Sequence, residues 1–133
     1  MFMRNITLFL FWWFLFFSIS TSSADNEINL DIDENGEYDA LSDGLLIIRY
    51  LFGLTGDDLV SGILGSNSLV VEPIEIKSKL DSMRANLDVD GNGSVDALTD
   101  GLLILRYLFG LRGDSLVTQV IGTGAARNSS ESI

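Results

Sequence analysis

An internal repeat constrains the fold of this chain more than any other feature of its sequence. When residues 31–65 are aligned with residues 88–122, at an offset of 57 positions, 23 of the 35 residue pairs are identical. Repeats of this length indicate that each copy is one supersecondary unit, which cannot bury its apolar face alone and packs against a neighbour. The sequence therefore predicts two similar units that pack together.

Each copy contains the same three parts in the same order. A polar loop rich in Asp, Asn and Gly leads into an apolar segment of helical length, and a short amphipathic helical turn follows. Gly53 and Gly110 stand where a glycine commonly terminates a helix. The loops are residues 31–43 and 88–100, the predicted helices about 43–53 and 100–110, and the predicted helical turns 57–64 and 114–121.

The segment between the copies, residues 66–86, predicts one more helix. Pro73 suits a first helical turn, and apolar residues recur after it at nearly helical spacing. We expect this connecting helix at about 74–84, leading into the second loop. The predicted fold is all-α, with two loop-helix units, 25–65 and 87–122, packed pseudo-symmetrically around the connecting helix.

The sequences at the two ends of the chain indicate that neither end belongs to this fold. Arg4 precedes an almost wholly apolar stretch, residues 6–19, and small residues follow as far as Ala24. A basic start, a short apolar core and small residues before a cleavage site are typical of a secretory signal peptide. Residues 1–24 therefore predict a secreted protein, extracellular or periplasmic, the alternative being an uncleaved N-terminal anchor. The tail, 123–133, is rich in small and polar residues, which predicts disorder.

The chain is strongly acidic, with a net charge of −11, and it contains neither His nor Cys. This charge should repel nucleic acids and anionic membrane surfaces and attract cations. The lack of His and Cys removes the usual zinc and copper ligands and leaves oxygen ligands, which suit hard cations. It also excludes disulfide bonds. Since no set of catalytic residues is visible in the sequence, we do not expect an enzyme.

The acidic residues of the two loops have the spacing of a calcium site. Their shared pattern is Asp-x-Asp-x-Asn-Gly-x-x-Asp, in which alternate residues can point at one ion while the glycine makes a sharp turn. This is the arrangement of an EF-hand loop, and it predicts two calcium ions. The alternative is a pair of solvated turns, since Asp, Asn and Gly are common in turns. The predicted ligands are Asp31, Asp33, Asn35, Asp39 and the carbonyl group of Glu37 in the first loop, and Asp88, Asp90, Asn92, Asp96 and the carbonyl group of Ser94 in the second.

Position 12 of each loop departs from the EF-hand pattern. It is Ser42 or Thr99, and the acid comes one residue later, at Asp43 or Asp100. In one interpretation the loop holds an extra residue, and Asp43 and Asp100 complete the coordination of the ion. In the other, the hydroxyl group of Ser42 or Thr99 caps the helix, and the following Asp interacts favourably with the helix dipole. We favour the first, because a site without its terminal carboxylate would be weak.

The apolar helices leave two arrangements open. Within each run of leucines, isoleucines and aromatic residues, Arg49 or Arg106 is the only polar residue. A helix that is apolar all round must be covered, so the two helices either bury each other and the connecting helix or leave one face for a partner. The arginines are expected to pair with a carboxylate or to reach water along their stems.

The loop followed by the Leu-Leu-Ile-x-Arg-Tyr-Leu-Phe-Gly helix resembles a dockerin repeat, the duplicated calcium-loop and helix unit of secreted bacterial proteins. The resemblance covers 31–65 and 88–122, over half of the chain that follows the predicted signal peptide. It implies calcium-dependent folding and docking to a cohesin-like extracellular protein. The acid displaced to Asp43 and Asp100 and the wider separation of the repeats depart from the dockerin pattern. Two other functions are a structural or calcium-buffering protein without a dedicated partner, and an accessory part of a polysaccharide-degrading enzyme system.

Overall fold

The computed structural model describes residues 28–133, so the predicted signal peptide lies outside the described residues. Within this range the structure is all-α, without a β-strand, which confirms the predicted class. No helix of this part of the chain is both long enough and apolar enough to span a membrane. The α-helices are α1 (Leu45–Leu51), α2 (Asp57–Val60), α3 (Pro73–Met83), α4 (Leu102–Leu108) and α5 (Asp114–Val117).

Each apolar helix begins earlier than predicted, with a wider turn. A π-helical turn over Ala40–Gly44 leads directly into α1, and its counterpart over Ala97–Gly101 leads into α4. In both, the N–H of the last glycine donates to the carbonyl oxygen five residues earlier, at Asp39 or Asp96, over 3.0 Å. Single π turns within helices occur frequently at functional sites.

The C-terminal ends of these helices are where the glycines predict them. Gly53 has a φ of 83°, and its N–H donates to the carbonyl oxygen of Tyr50 over 2.8 Å, while the N–H of Leu54 donates to that of Arg49 over 3.0 Å. This pair of bonds is a Schellman motif, which requires the left-handed conformation that glycine adopts without steric cost. Gly110 repeats it in the second copy.

The helical turns α2 and α5 are shorter than the predicted 57–64 and 114–121. Each ends at a residue with extended backbone, Ser61 or Thr118. The arginine of the preceding helix explains this early end. Arg49 donates to the carbonyl oxygens of Asp58, Leu59 and Ser61, and Arg106 donates to those of Ser115, Leu116 and Thr118. The arginines therefore join α1 to α2 and α4 to α5, instead of pairing with a carboxylate.

The two copies pack against each other reciprocally through a pair of glycines. A Cβ atom on Gly44 would lie 2.7 Å from Leu105 Cδ1, and one on Gly101 would lie 3.2 Å from Ile48 Cγ1. Gly44 and Gly101 are equivalent positions of the repeat, and so are Ile48 and Leu105. The start of each apolar helix thus lies against the middle of the other helix, in a pseudo-twofold arrangement.

The connecting helix α3 packs against one copy rather than between the two, which corrects the prediction that both units surround it. It lies against α1 and α2. Its Ile76 and Leu80 are fully buried in the larger core, and the Tyr50 hydroxyl donates to Asp81 over 2.8 Å. Because the two units contact each other directly at Gly44 and Gly101, there is no space between them for α3. The second copy has a smaller core of its own, built on Leu103, Leu116 and Val120.

A segment after each helical turn returns to its own loop. We call residues 65–70 and 122–127 the returning segments. The N–H of Val70 donates to the carbonyl oxygen of Asp33 over 3.0 Å, and the N–H of Arg127 donates to that of Asp90 over 2.8 Å. These bonds are equivalent at the offset of 57. The start of the tail, for which the sequence predicts disorder, is therefore held against the second loop and extends the repeat.

The close contact of Gly44 with the opposite apolar helix predicts that a bulky side chain at this position would destabilise the fold. Gly44→Leu should lower the free energy of unfolding by about 2 kcal/mol, as expected for overpacking a buried contact. The matched control is Gly65→Leu, because Gly65 is exposed and a Cβ there would lie 4.0 Å from its nearest neighbour, Ser68 Oγ. The control should change stability by less than about 0.5 kcal/mol. Urea denaturation in excess calcium measures both, and equal midpoints would contradict the reciprocal packing.

Candidate metal centres

Each loop brings three aspartates together around one point. Carboxylate oxygens of Asp31, Asp33 and Asp43 all lie within 4.8 Å of one another. The equivalent residues of the second copy, Asp88, Asp90 and Asp100, form a cluster of the same kind. Oxygens at this separation can contact one cation together, since calcium–oxygen distances are about 2.3–2.6 Å.

Two aspartates of each cluster are fully buried, and neither forms a salt bridge within residues 28–133. Asp33, Asp43, Asp90 and Asp100 have no exposed surface. The salt bridges found between residues 28 and 133 are Lys77–Asp81 and Lys79–Glu34, and neither includes a cluster residue. Two unit charges 4–5 Å apart repel each other by about 3–4 kcal/mol at an effective dielectric constant of about 20. Buried charges are normally paired or coordinate a metal, so this donor set fits a cation.

The displaced acid holds the two ends of its loop together. Asp43 Oδ1 accepts the N–H of Ile32 over 2.6 Å, and Oδ2 accepts the N–H of Asp39 over 2.8 Å. Asp100 accepts the N–H groups of Val89 and Asp96 over 2.7 and 2.9 Å. The π turn explains how an acid at position 13 reaches this place. A π turn has more residues per turn than an α-helix, so the extra residue is absorbed before the carboxylate points back at the loop.

The first aspartate of each loop organises the sharp turn. Asp31 accepts the N–H groups of Asn35 and Gly36 over 3.1 and 2.9 Å. Asp88 does the same with Asn92 and Gly93, over 3.1 and 3.0 Å. Carboxylates bound to backbone N–H groups in this way are fixed in orientation before any ion arrives.

The two copies differ at position 4 of the loops, where both backbones have a positive φ. Gly91 has a φ of 71° in the second loop, and the first loop holds Glu34 at the equivalent position with a φ of 58°. This conformation is unfavourable for a residue with a side chain, by about 1 kcal/mol or more. The Glu34 carboxylate compensates in part by accepting a hydrogen bond from Lys79 over 3.1 Å.

The asparagine predicted as a ligand in each loop hydrogen-bonds within that loop, and Asn35 Nδ2 also donates to Asp33 Oδ2 of the first cluster over 3.4 Å. Asn35 Oδ1 accepts the N–H of Glu37 over 2.8 Å, and Asn92 Oδ1 accepts that of Ser94 over 2.7 Å. Both amide groups therefore stay within their loops. The exposed carboxylates at position 9, Asp39 and Asp96, are not members of the clusters. In EF-hands this position often acts through a water molecule, and direct ligation by these residues stays a prediction.

The hydroxyl groups at position 12 do not cap the helices. The helical turns begin at Ala40 and Ala97, ahead of both hydroxyl groups. Ser42 Oγ is buried without a hydrogen-bond partner, and Thr99 Oγ1 bonds to Asp100 Oδ2 over 3.3 Å. The interpretation in which Ser42 and Thr99 are N-caps is wrong, because the π turn starts the helix earlier than the sequence suggests.

Burial raises the pKa of the Asp43 carboxyl group above its ordinary value. Hydrogen bonds from the N–H groups of Asp39 and Ile32 oppose this shift, and the nearby Asp33 carboxylate adds to it. When a folded-state pKa is raised, the stabilising contribution is fully present below the unfolded-state pKa and is lost as the pH rises through the folded-state value. The ionised form of Asp43 is therefore less favourable in the folded protein than in the unfolded chain, and a cation bound at the cluster would offset that cost.

Two groups beside the clusters are missing from the sequence prediction. The Ser68 hydroxyl donates to Asp33 Oδ2 over 2.6 Å, and the Gly122 N–H donates to Asp90 Oδ2 over 2.6 Å. Gly122 carries a weak signal, because it is identical to Gly65 at the end of the other copy. Ser68 carries none, since its counterpart is Ala125.

No protein-family model, curated protein or solved structure matches this chain.

The position of Asp100 predicts that it, and not Thr99, governs binding at the second loop. Asp100→Ala should weaken calcium binding there by far more than Thr99→Val, because it removes both a charge and an oxygen that lies in the cluster. Calorimetric titration of both variants measures the affinities, and thermal unfolding of the calcium-free proteins separates binding from stability. A large loss of affinity for Thr99→Val with normal binding by Asp100→Ala would contradict the assignment.

Proposed function

We propose that this protein is a secreted calcium-binding module that holds two calcium ions, one in each copy of the repeat. The observation that carries the proposal is the pair of aspartate triads, Asp31–Asp33–Asp43 and Asp88–Asp90–Asp100, in each of which two carboxylates are fully buried without a salt bridge among the described residues. Two triads at equivalent positions are much harder to explain as solvated turns than one would be. A single calcium ion at each triad would neutralise most of its charge.

The donor set favours calcium over other common cations. Every residue of the two triads offers a carboxylate oxygen, and the chain has neither His nor Cys to hold zinc or copper. The loops add amide and backbone carbonyl oxygens around the triads, which suits the six to eight ligands of calcium. Magnesium demands a near-ideal octahedral shell and retains several waters, so a loop of protein oxygens fits it less well.

Bound calcium would also stabilise this fold. The cores are small, the second being built on three buried residues, and no disulfide bond is available. Small secreted domains of this kind need a further source of stability, and a bound metal supplies it when the folded state alone holds the site.

One observation favours docking to an extracellular partner as the purpose of the module. Leu41 and Leu98 occupy equivalent positions in the two copies, and their side chains are 67% and 63% exposed. Each lies two residues before the last aspartate of its triad, within the π turn that this aspartate stabilises. Calcium would therefore shape the surface that carries both leucines. A cohesin-like protein, as the dockerin resemblance implies, is the partner we propose.

The first prediction of this proposal is that calcium stabilises the fold. Chelation should lower the melting temperature, and calcium in excess should restore it, because an ion that binds the folded state alone contributes about 2.7 kcal/mol per site at 100 times its dissociation constant. Equal melting temperatures with calcium and with chelator would contradict the proposal.

Calorimetry should show that the stabilisation comes from calcium bound at the two loops. It should show two calcium ions per chain, with dissociation constants on the order of 10⁻⁵ to 10⁻³ M, as for other extracellular modules. Asp88→Ala combined with Asp90→Ala should abolish one ion and leave the other. Magnesium at the same concentration should restore much less of the melting temperature.

The docking proposal predicts a partner that depends on both calcium and the two leucines. The immobilised protein should retain an extracellular protein from the secreted fraction of its producing cell in calcium but not in chelator. Leu41→Ser combined with Leu98→Ser should reduce this capture at least tenfold while calcium binding stays normal. Ile74→Ser is the matched control, since Ile74 is equally exposed on α3. Capture that survives chelation or the double substitution would contradict docking at this surface.

A further inference from the structure

The Oδ2 atom of the middle aspartate in each triad accepts a hydrogen bond from a returning segment. In the first copy this group is the Ser68 hydroxyl at Asp33 Oδ2, and in the second it is the Gly122 N–H at Asp90 Oδ2, both over 2.6 Å. The donors differ in chemistry and in position along their segments. They nevertheless bond to the same atom of equivalent residues, which the backbone bonds from Val70 and Arg127 also hold in place.

The second centre has a much closer approach than the first. A Cβ atom on Gly122 would lie 2.2 Å from Asn92 Nδ2 and 2.7 Å from Asp90 Oδ2. Both are predicted ligand residues. At the equivalent Gly65, the nearest atom to such a Cβ is Ser68 Oγ, at 4.0 Å. Gly122 thus lies against the second triad so closely that even a methyl group would displace a ligand side chain.

A cationic side chain from outside the loop lies at the first residue of each triad. Lys79 Nζ donates to the carbonyl oxygen of Asp31 over 2.6 Å. Arg127 of the second returning segment donates to the carbonyl oxygens of Asp88 and Val89. The returning segment of the second copy therefore holds its loop at three points: the Asp90 carboxylate, the Asp90 carbonyl and the first residues of the loop.

We propose that the two returning segments are integral parts of the metal centres, in which Ser68 and Gly122 orient the middle aspartate toward the ion. This proposal rests on the proposed function, since it assumes that the triads bind calcium. The physical reason is that a ligand held by an outer hydrogen bond keeps the rotamer that the ion needs, and losing such a partner typically costs about 10- to 100-fold in metal affinity. Residues 122–127 then belong to the second site and are not a free tail.

The test is calorimetric calcium titration of variants in which one loop is silenced. With the first loop blocked by Asp31→Ala and Asp33→Ala, adding Gly122→Ala should raise the dissociation constant of the second loop about 10- to 100-fold. With the second loop blocked by Asp88→Ala and Asp90→Ala, adding Ser68→Ala should weaken the first loop by a similar factor. Ser78→Ala in that background is the matched control, because Ser78 is an exposed serine on α3 outside the returning segments, and the affinity should stay within about twofold.

The outcomes separate this proposal from the proposed function. If the unsubstituted protein binds no calcium, the proposed function fails and the role of the returning segments fails with it. If it binds two ions, and Gly122→Ala or Ser68→Ala leaves the affinity of its own loop unchanged, the returning segments are not parts of the centres. Normal binding by the first loop in Gly122→Ala alone shows that this variant has folded. Should it lose both ions, the Ser68→Ala result decides, because removing a hydroxyl group creates no clash.

Discussion

Mutual repulsion among buried carboxylates is the constraint on which the rest of this structure depends. Two aspartates of each triad have no exposed surface, and the described part of the chain provides no basic side chain to pair with them. Backbone N–H groups satisfy their hydrogen bonds but supply only partial charge. Asp43 illustrates the consequence, because burial raises its pKa and so disfavours its charged form. A cation bound in each loop, as we propose, would relieve this repulsion in both copies.

The packing of the two copies places both centres next to the contact between them. Gly44 and Gly101, which make the reciprocal crossing, directly follow Asp43 and Asp100 in sequence. An ion that fixes either aspartate would also fix the glycine against the opposite helix. A change at one loop would then be felt in the packing of the other, since closely packed interiors transmit small shifts. The copies are not equal in their surroundings, however, because α3 covers the first and the end of the chain covers the second.

Much of this arrangement could be predicted from sequence, and the exceptions have physical reasons. The Asp-x-Asp-x-Asn-Gly loops and the helix ends at Gly53 and Gly110 are local patterns, so single residues specify them. The sequence suggested Ser42 and Thr99 as N-caps because no residue pattern marks a π turn, so the earlier start of the helix could not be predicted. The position of α3 depends on how the two apolar helices cross. That crossing is set by the contacts of Gly44 and Gly101 with the opposite helix, which the sequence does not show. The contact of Gly122 with Asp90 joins residues far apart in the chain. The small and polar residues that follow Gly122 predicted a disordered tail instead.

Anomalous scattering from crystals of the protein grown with calcium would show directly whether each triad holds one calcium ion. We expect two anomalous peaks. One should lie about 2.3–2.6 Å from oxygens of Asp31, Asp33 and Asp43, and the other at the same distance from Asp88, Asp90 and Asp100. Crystals that diffract well in excess calcium without a peak at either triad, or with peaks that Asp43 and Asp100 do not touch, would contradict this expectation.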